Sequence, residues 1–252
     1  MPFTAAHAVA ALPFRKTRLN TAALVVGCLS PDFEYFFRLV PRGSFGHTLP
    51  GVLLLDLPLS LAVLWLFQQY VADAIVSIAP RLFPLRQDSI EKMFTWNIPA
   101  FLVMVLSILL GAATHIIWDT FTHPSFWPYR HLPLLRCSLP LPLAGSIEVF
   151  KLLQYGSTAL GLCVLAVLWR RWMRTSSHRQ TSAVKRAFLL MAALACAGAL
   201  LRAEYGTGFL HRFRGFNVFA SETLVSFISL LWIMLTFYGL WLHRQLAGTK
   251  SY

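Results

Sequence analysis

The sequence predicts an all-α, multi-pass helical integral membrane protein with about five spans preceded by short N-terminal helices. Three observations predict it. Of 252 residues, 57% are hydrophobic and only 13% are charged, against roughly 25% charged in an average soluble protein. Several apolar stretches approach or exceed the ~20 residues that cross a hydrocarbon core. Aromatic clusters at Phe36 and Phe37, Phe126 and Trp127, and Trp169 and Trp172 flank those stretches, where amphipathic rings settle at head-group level. The same composition excludes a soluble globular enzyme. With 14 Gly, 14 Pro and 4 Cys in so apolar a chain, a disordered, collagen-like or disulfide-stapled secreted protein is excluded as well.

Taken in chain order, Thr4 is the expected cap of a first short helix that ends at Pro13. The apolar run Leu19 to Leu29, closed by Ser30-Pro31, is too short to cross and is expected to pack on the bundle or lie in the interface. Spans are expected at 49–70, 98–118, 152–169, 183–203 and 223–242, the fourth with Lys185 and Arg186 snorkelling from its end. No repeat of 20 to 50 residues is visible. The chain therefore reads as a single membrane domain, 1–252, with an expected metal-site half at 1–135 and a hydrophobic helical half at 136–252. The first 30 residues lack the order of a secretory signal, so the N-terminus is expected to stay in the mature protein.

The net charge of +12 is read as contact with anionic lipid head groups, with nucleic acid set aside. Lys and Arg divide evenly between the two sides of a five-span topology. The densest run, Arg170 to Arg186, favours that loop being cytoplasmic and residues 1–48 outside. Cys28, Cys163 and Cys196 stand in apolar surroundings and Cys137 in a loop, without metal-ligand spacing. They read as buried small residues, neither ligands nor disulfide partners.

The chemistry is concentrated in a few His and Asp residues. His115, Asp119 and His123, in THIIWDTFTH, follow one another at i, i+4, i+8, which on a helix keeps them within an arc of about 80°. Imidazole and carboxylate converging from successive turns is how helical scaffolds build metal sites. The bland alternative is that these groups satisfy one another and nearby backbone at a span end. His123 precedes Pro124 and is biased out of helical geometry. If the first two spans are antiparallel neighbours, His7, Asp32, His47, His115, Asp119 and His123 all lie on one face of the membrane. Glu34 in SPDFEYF is a reserve carboxylate. Asp56, on a helix continuous from His47, would face away from the others, unless Pro50 and Gly51 break that register; a pair with Arg or a hydrogen bond within the protein is an equal alternative to a functional role. An ionisable residue within an apolar span is a functional candidate in its own right. His131, His178, His211 and His243 stand in basic or loop contexts and read as solvated or interfacial.

The segments MPFTAAHAVAALP, SPDFEYF, GHTLPGVLLLDLPLSL, GAATHIIWDTFTH and LLQYGSTALGL resemble a bacterial family of multi-pass membrane proteins, a domain of unknown function. That family is distantly similar to inner-membrane metal-dependent hydrolases linked to the SOS response, and through them to zinc-dependent phospholipase C and related nucleases. The resemblance implies that His7, Asp32, His47, His115 and Asp119 are metal-site residues, with His123 extending the set. It also implies a bacterial inner-membrane location. The chain departs from the phospholipase pattern in lacking an N-terminal Trp ligand and in embedding its motifs in membrane spans.

These readings converge on a metal-dependent hydrolase opening at the membrane surface. Zinc is the expected divalent metal, since mixed His/Asp ligation suits it, and Asp32 or Glu34 is the expected catalytic base. Arg15, Lys16, Arg18, Arg38 and Arg42 point to membrane lipid as the partner, with an anionic head group or other phosphoester as substrate. Ordinary head-group contact is the simpler role for these cations. The rival is a non-enzymatic transporter or structural membrane protein, for which Asp56 beside Pro58 in an interrupted span is the supporting feature.

Overall fold

The computed structural model describes residues 3–78, 90–91, 93–141, 145–174, 182–212 and 215–249. His178 and the side chains of Lys185 and His211 fall outside what is described. A 3-10 helix, Thr4–Phe14, comes first. It is followed by α1 (Thr21–Leu29), α2 (Phe33–Arg38), α3 (Leu49–Ile78), α4 (Ile98–Thr122), α5 (Trp127–His131) and α6 (Pro133–Arg136). Two short antiparallel strands, β1 (Ser138–Leu141) and β2 (Gly145–Glu148), pair Ser138 with Glu148 and Leu141 with Gly145. Then come α7 (Val149–Arg174), α8 (Ser182–Thr207), α9 (Phe209–Arg212) and α10 (Phe216–Thr249).

Five helices among the described residues are long and apolar enough to cross a membrane: Leu49–Ile78, Ile98–His131, Val149–Arg174, Arg186–Thr207 and Phe216–Gln245. These are the five expected, most of them running past the apolar stretch into polar flanks, because backbone hydrogen bonding continues after hydropathy fades. Large side chains such as Leu102, Leu106, Leu160 and Leu201 point out of the protein, as they do where lipid is the solvent.

Local signals set the helix ends. Asn20 caps α1, its side chain accepting the Ala23 N–H at 2.9 Å. Asn97 caps α4 through the Ala100 N–H at 3.3 Å, and Thr48 caps α3 through the Gly51 N–H at 3.1 Å. Pro99 and Pro50 occupy first-turn positions, where a missing N–H costs nothing. Thr4 is not a cap, contrary to the sequence expectation: Phe3 holds that position with no side-chain bond, and its N–H reaches Thr158 Oγ1 at 3.2 Å. The 3-10 helix also continues through Pro13 to Phe14.

The chain divides into two compact units. The first comprises Met1–Pro31, Gly46–Leu61 and Trp96–Arg171; the second comprises Asp32–Phe45, Ala62–Thr95 and Trp172–Tyr252. In the first unit α1 lies directly on α4, and both helices contribute a glycine. A Cβ on Gly27 would overlap the Ile108 carbonyl oxygen, and one on Gly111 would overlap that of Leu24. Small residues permit such backbone contact, which replaces the hydrophobic effect as the cohesive force in lipid. The 3-10 helix packs onto the outside of α1, burying Ala11 against Leu24 and Cys28. In the second unit α10 packs on α8 and on the lower part of α3, around Val71, Ala74, Ile78 and Leu235. The hydroxyls of Ser226 and Ser229 donate to the Leu39 and Phe36 carbonyls at 3.3 and 2.9 Å, which ties the end of α2 to α10.

All four cysteines are free. Cys28 is buried, whereas Cys163 and Cys196 are exposed on the sides of α7 and α8 and Cys137 is exposed after α6. The expectation of buried positions therefore fails for Cys163 and Cys196. An apolar neighbourhood in sequence marks a lipid-facing site as readily as a protein core.

Candidate metal centre

The first unit brings five of the sequence's candidates together, four histidines around the carboxylate of Asp119. Asp119, 1% exposed, lies near the C-terminal end of α4. His7 Nε2 stands 3.5 Å from its Oδ1, and His47 Nε2 and His115 Nε2 each stand 3.5 Å from its Oδ2. Good N–H···O bonds measure about 2.7–3.2 Å, so the three imidazoles face the carboxylate without closing onto it. The ligand atoms of His7, His115 and Asp119 all lie within 4.8 Å of one another, and all three residues are buried. Buried His/Asp groups thus stand where they can hold a metal ion.

Each imidazole reaches this point by a different route. His115 arrives on α4 one turn before Asp119, and its Nδ1 lies 2.7 Å from the Cys28 carbonyl oxygen of α1. A carbonyl only accepts, so Nδ1 carries the proton and Nε2 turns its lone pair toward Asp119, the tautomer that a metal-ligating histidine requires. The Gly27–Gly111 contact sets that bond, because it holds the α1 carbonyls against α4. His7 comes from the 3-10 helix and stacks on His115 with ring centroids 3.8 Å apart and planes 15° from parallel. Burial first, and the nearby His115 second, push its pKa down to about 3, so at neutral pH it is an uncharged potential ligand. His47 precedes the Thr48 cap and meets His115 edge to face at 5.4 Å.

His123 lies just past the end of α4 with extended backbone angles, φ −129° and ψ 134°, as the following proline dictates. Its Nδ1 donates to the Asp119 carbonyl oxygen at 3.1 Å and stands 3.7 Å from Asp119 Oδ2. Its own ligand atom would be Nε2. Asp32 is buried at the end of the turn that follows α1 and is the first residue of the second unit. Glu34, also in the second unit, is held at both oxygens: Arg38 lies 2.6 Å from Oε1, and the Phe45 N–H donates to Oε2 at 3.1 Å.

Asp56 does not follow the register of a helix continuous from His47. It is fully buried, and a Cβ on Gly46, the residue before His47, would stand 3.0 Å from its Oδ1. The helix starts at Leu49 with Gly46 and His47 outside it, and Val52–Asp56 forms a π turn. Both features alter the register assumed for a continuous α-helix. Sequence reasoning missed the Cys28 carbonyl, since a backbone acceptor carries no residue signature. It also missed Gly46, whose hydrogen side packs on the Pro31 carbonyl at 2.6 Å from an ideal Cβ. The GHT motif held the only available hint of that contact.

A family model described as a domain of unknown function, DUF4184, matches residues 1–240. The chain belongs to this family. No curated protein and no solved structure gives a significant match. The family's description names no activity, so chemistry has to be argued from the residues themselves.

Proposed function

We propose that this membrane protein is a metal-dependent hydrolase of the bacterial inner membrane, acting on a phosphoester or lipid-like substrate through zinc held by His7, His115 and Asp119, with His47 and His123 beside them. The observation that carries the proposal is the trio of 3.5 Å separations between Asp119 oxygens and the Nε2 atoms of His7, His47 and His115. Ligand atoms bound about 2.0–2.1 Å from a tetrahedral zinc stand about 3.3 Å from one another. The three separations lie near that spacing and beyond good hydrogen-bond length, which supports a ligand shell over a hydrogen-bonded network. Bound zinc would supply a hydroxide near neutral pH and polarise a phosphoryl oxygen.

The protein's own residues supply the rest. The Cys28 carbonyl fixes the His115 tautomer, and burial keeps His7 neutral. Arg15, Lys16 and Arg18, all exposed just after the 3-10 helix that carries His7, suit a phosphate arriving from the head-group layer. Asp32 is the proposed general base, following Pro31 directly in the chain. Glu34 is less suited to that role because both of its oxygens are engaged.

Elemental analysis of detergent-purified protein without a histidine tag tests the reading. Near-stoichiometric zinc is expected, reduced at least tenfold in His115→Ala and Asp119→Ala and retained in Glu34→Gln. Hydrolysis of phospholipids and soluble phosphodiesters should follow the zinc content. The transporter reading rests on Asp56, fully buried within a π turn of α3. Full metal occupancy in Asp56→Asn supports the hydrolase; a wild-type protein that takes up no metal after repletion overturns it.

A further inference from the structure

The second unit contains an ion pair that the metal chemistry does not use. Arg202 on α8 and Glu222 on α10 stand 3.5 Å apart, Nη1 to Oε2, with Glu222 7% exposed. Both atoms are buried and neither makes a hydrogen bond among the described residues. Charged side chains within spans are costly and mark functional positions. These two lie about 8–9 Å inside the ends of their helices, as Thr207 is five residues beyond Arg202 and Phe216 six before Glu222. That is head-group depth rather than mid-bilayer.

Glu222 of this pair lines a cavity of about 320 Å³, together with Val40, Arg42, Gly206, Thr207 and Val218. Gly206 is required there: a Cβ on it would stand 2.6 Å from Arg202 Nη1 and 2.7 Å from Glu222 Oε2. With glycine at that position, Gly206 and Glu222 line the cavity side by side. Arg42 is positioned from the other side. Leu39 turns the chain after α2 with φ +55°, and Ser226 and Ser229 hold the α2 carbonyls from the face of α10 that also carries Glu222. Arg42 is exposed, and no described carboxylate pairs with it.

Among the described residues the cavity lining therefore carries one cation, Arg42, and one carboxylate, Glu222, whose Oε2 stands 3.5 Å from Arg202 Nη1 yet accepts no hydrogen bond. Phe216, Tyr205 and Leu210, all strongly exposed, surround the helix ends as anchors at the membrane interface do. We infer that this cavity binds the head group of an aminophospholipid, its phosphate on Arg42 and its primary ammonium on Glu222. A head group carrying only phosphate would leave Glu222 Oε2, ion-paired with Arg202, still without a hydrogen-bond donor. A quaternary ammonium would enter without donating a hydrogen bond to it. The inference stands independently of the metal site.

Native mass spectrometry of the full protein tests it, with phosphatidylethanolamine, phosphatidylcholine and phosphatidylglycerol of matched acyl chains. Phosphatidylethanolamine should be retained about tenfold or more over the other two, as one charge-assisted hydrogen bond implies. Glu222→Gln should abolish that preference, while Arg42→Gln should weaken all three lipids. Arg42 is exposed, so its substitution keeps the test valid should the Glu222 variant fail to fold. Competition by free O-phosphoethanolamine would show that the soluble head group suffices; phosphatidylethanolamine selectivity without such competition would identify the membrane lipid as the ligand. Equal retention of the three lipids by the wild type, or an unchanged preference in Glu222→Gln, overturns the inference.

Discussion

At the scale of single residues, the cluster depends on histidines being uncharged. His7 is the sharpest case: burial holds its pKa near 3 in the folded protein, against about 6.5 in an unfolded chain. Between those values the unfolded state binds more protons, so the stability tied to a neutral His7 is complete above about pH 6.5 and is lost as pH falls toward 3. From pH 7.5 to pH 5 the loss is about 2 kcal/mol, taking 1.36 kcal/mol per unit over the 1.5 units below the unfolded value. In metal-free protein this should lower the melting temperature by several degrees. His7→Gln should flatten that dependence, and a wild-type profile equally flat would contradict the neutral, buried imidazole. Glu34 shows the opposite outcome for a titratable candidate. Its motif offers a carboxylate two residues from Asp32, yet the Arg38 ion pair and the Phe45 N–H occupy it.

At the scale of elements, the decisive feature is the approach of α1 to α4. The periodic spacing of His115, Asp119 and His123 was legible because one helix carries the first two and a proline displaces the third. The arrival of His7 and His47 was legible only as a shared membrane face, since their positions depend on contacts made by other residues. Gly27 and Gly111 make those contacts, and neither is distinguishable in sequence from a glycine that packs on nothing, such as Gly156. Gly27→Val should therefore force backbone apart, lower stability by about 1–3 kcal/mol and reduce metal content by moving the Cys28 carbonyl off His115 Nδ1. Gly156→Ala, placed in open space on α7, should leave metal content unchanged and raise the melting temperature slightly through helix propensity. Thermal melts and metal analysis of the two variants side by side check this. Equal metal content in both would separate the α1–α4 contact from the site.

At the scale of the whole molecule, hydropathy made the five crossing helices readable, because length and apolar composition are all that a bilayer demands of a span. It did not make the π turns of α3 readable, and the first of these, Val52–Asp56, bears on where Asp56 falls. Sidedness follows from the connection between a crossing helix and its flanks. Cys137 and the basic run beginning at Arg170 stand at opposite ends of α7, whose 26 residues extend about 39 Å. No span separates Cys137 from the end of α4 that carries Asp119 and His123. The two therefore share a membrane face. If the basic run is cytoplasmic, as its density favours although the two sides carry equal Lys and Arg, the Cys137 face is external. Cys137 is exposed and aqueous, Cys28 is buried, and Cys163 and Cys196 lie along spans shielded by lipid. A membrane-impermeant maleimide applied to intact spheroplasts should consequently label the wild-type protein, and Cys137→Ser should remove the label. Labelling that appears only after permeabilisation would reverse the orientation and place the histidine cluster on the cytoplasmic side.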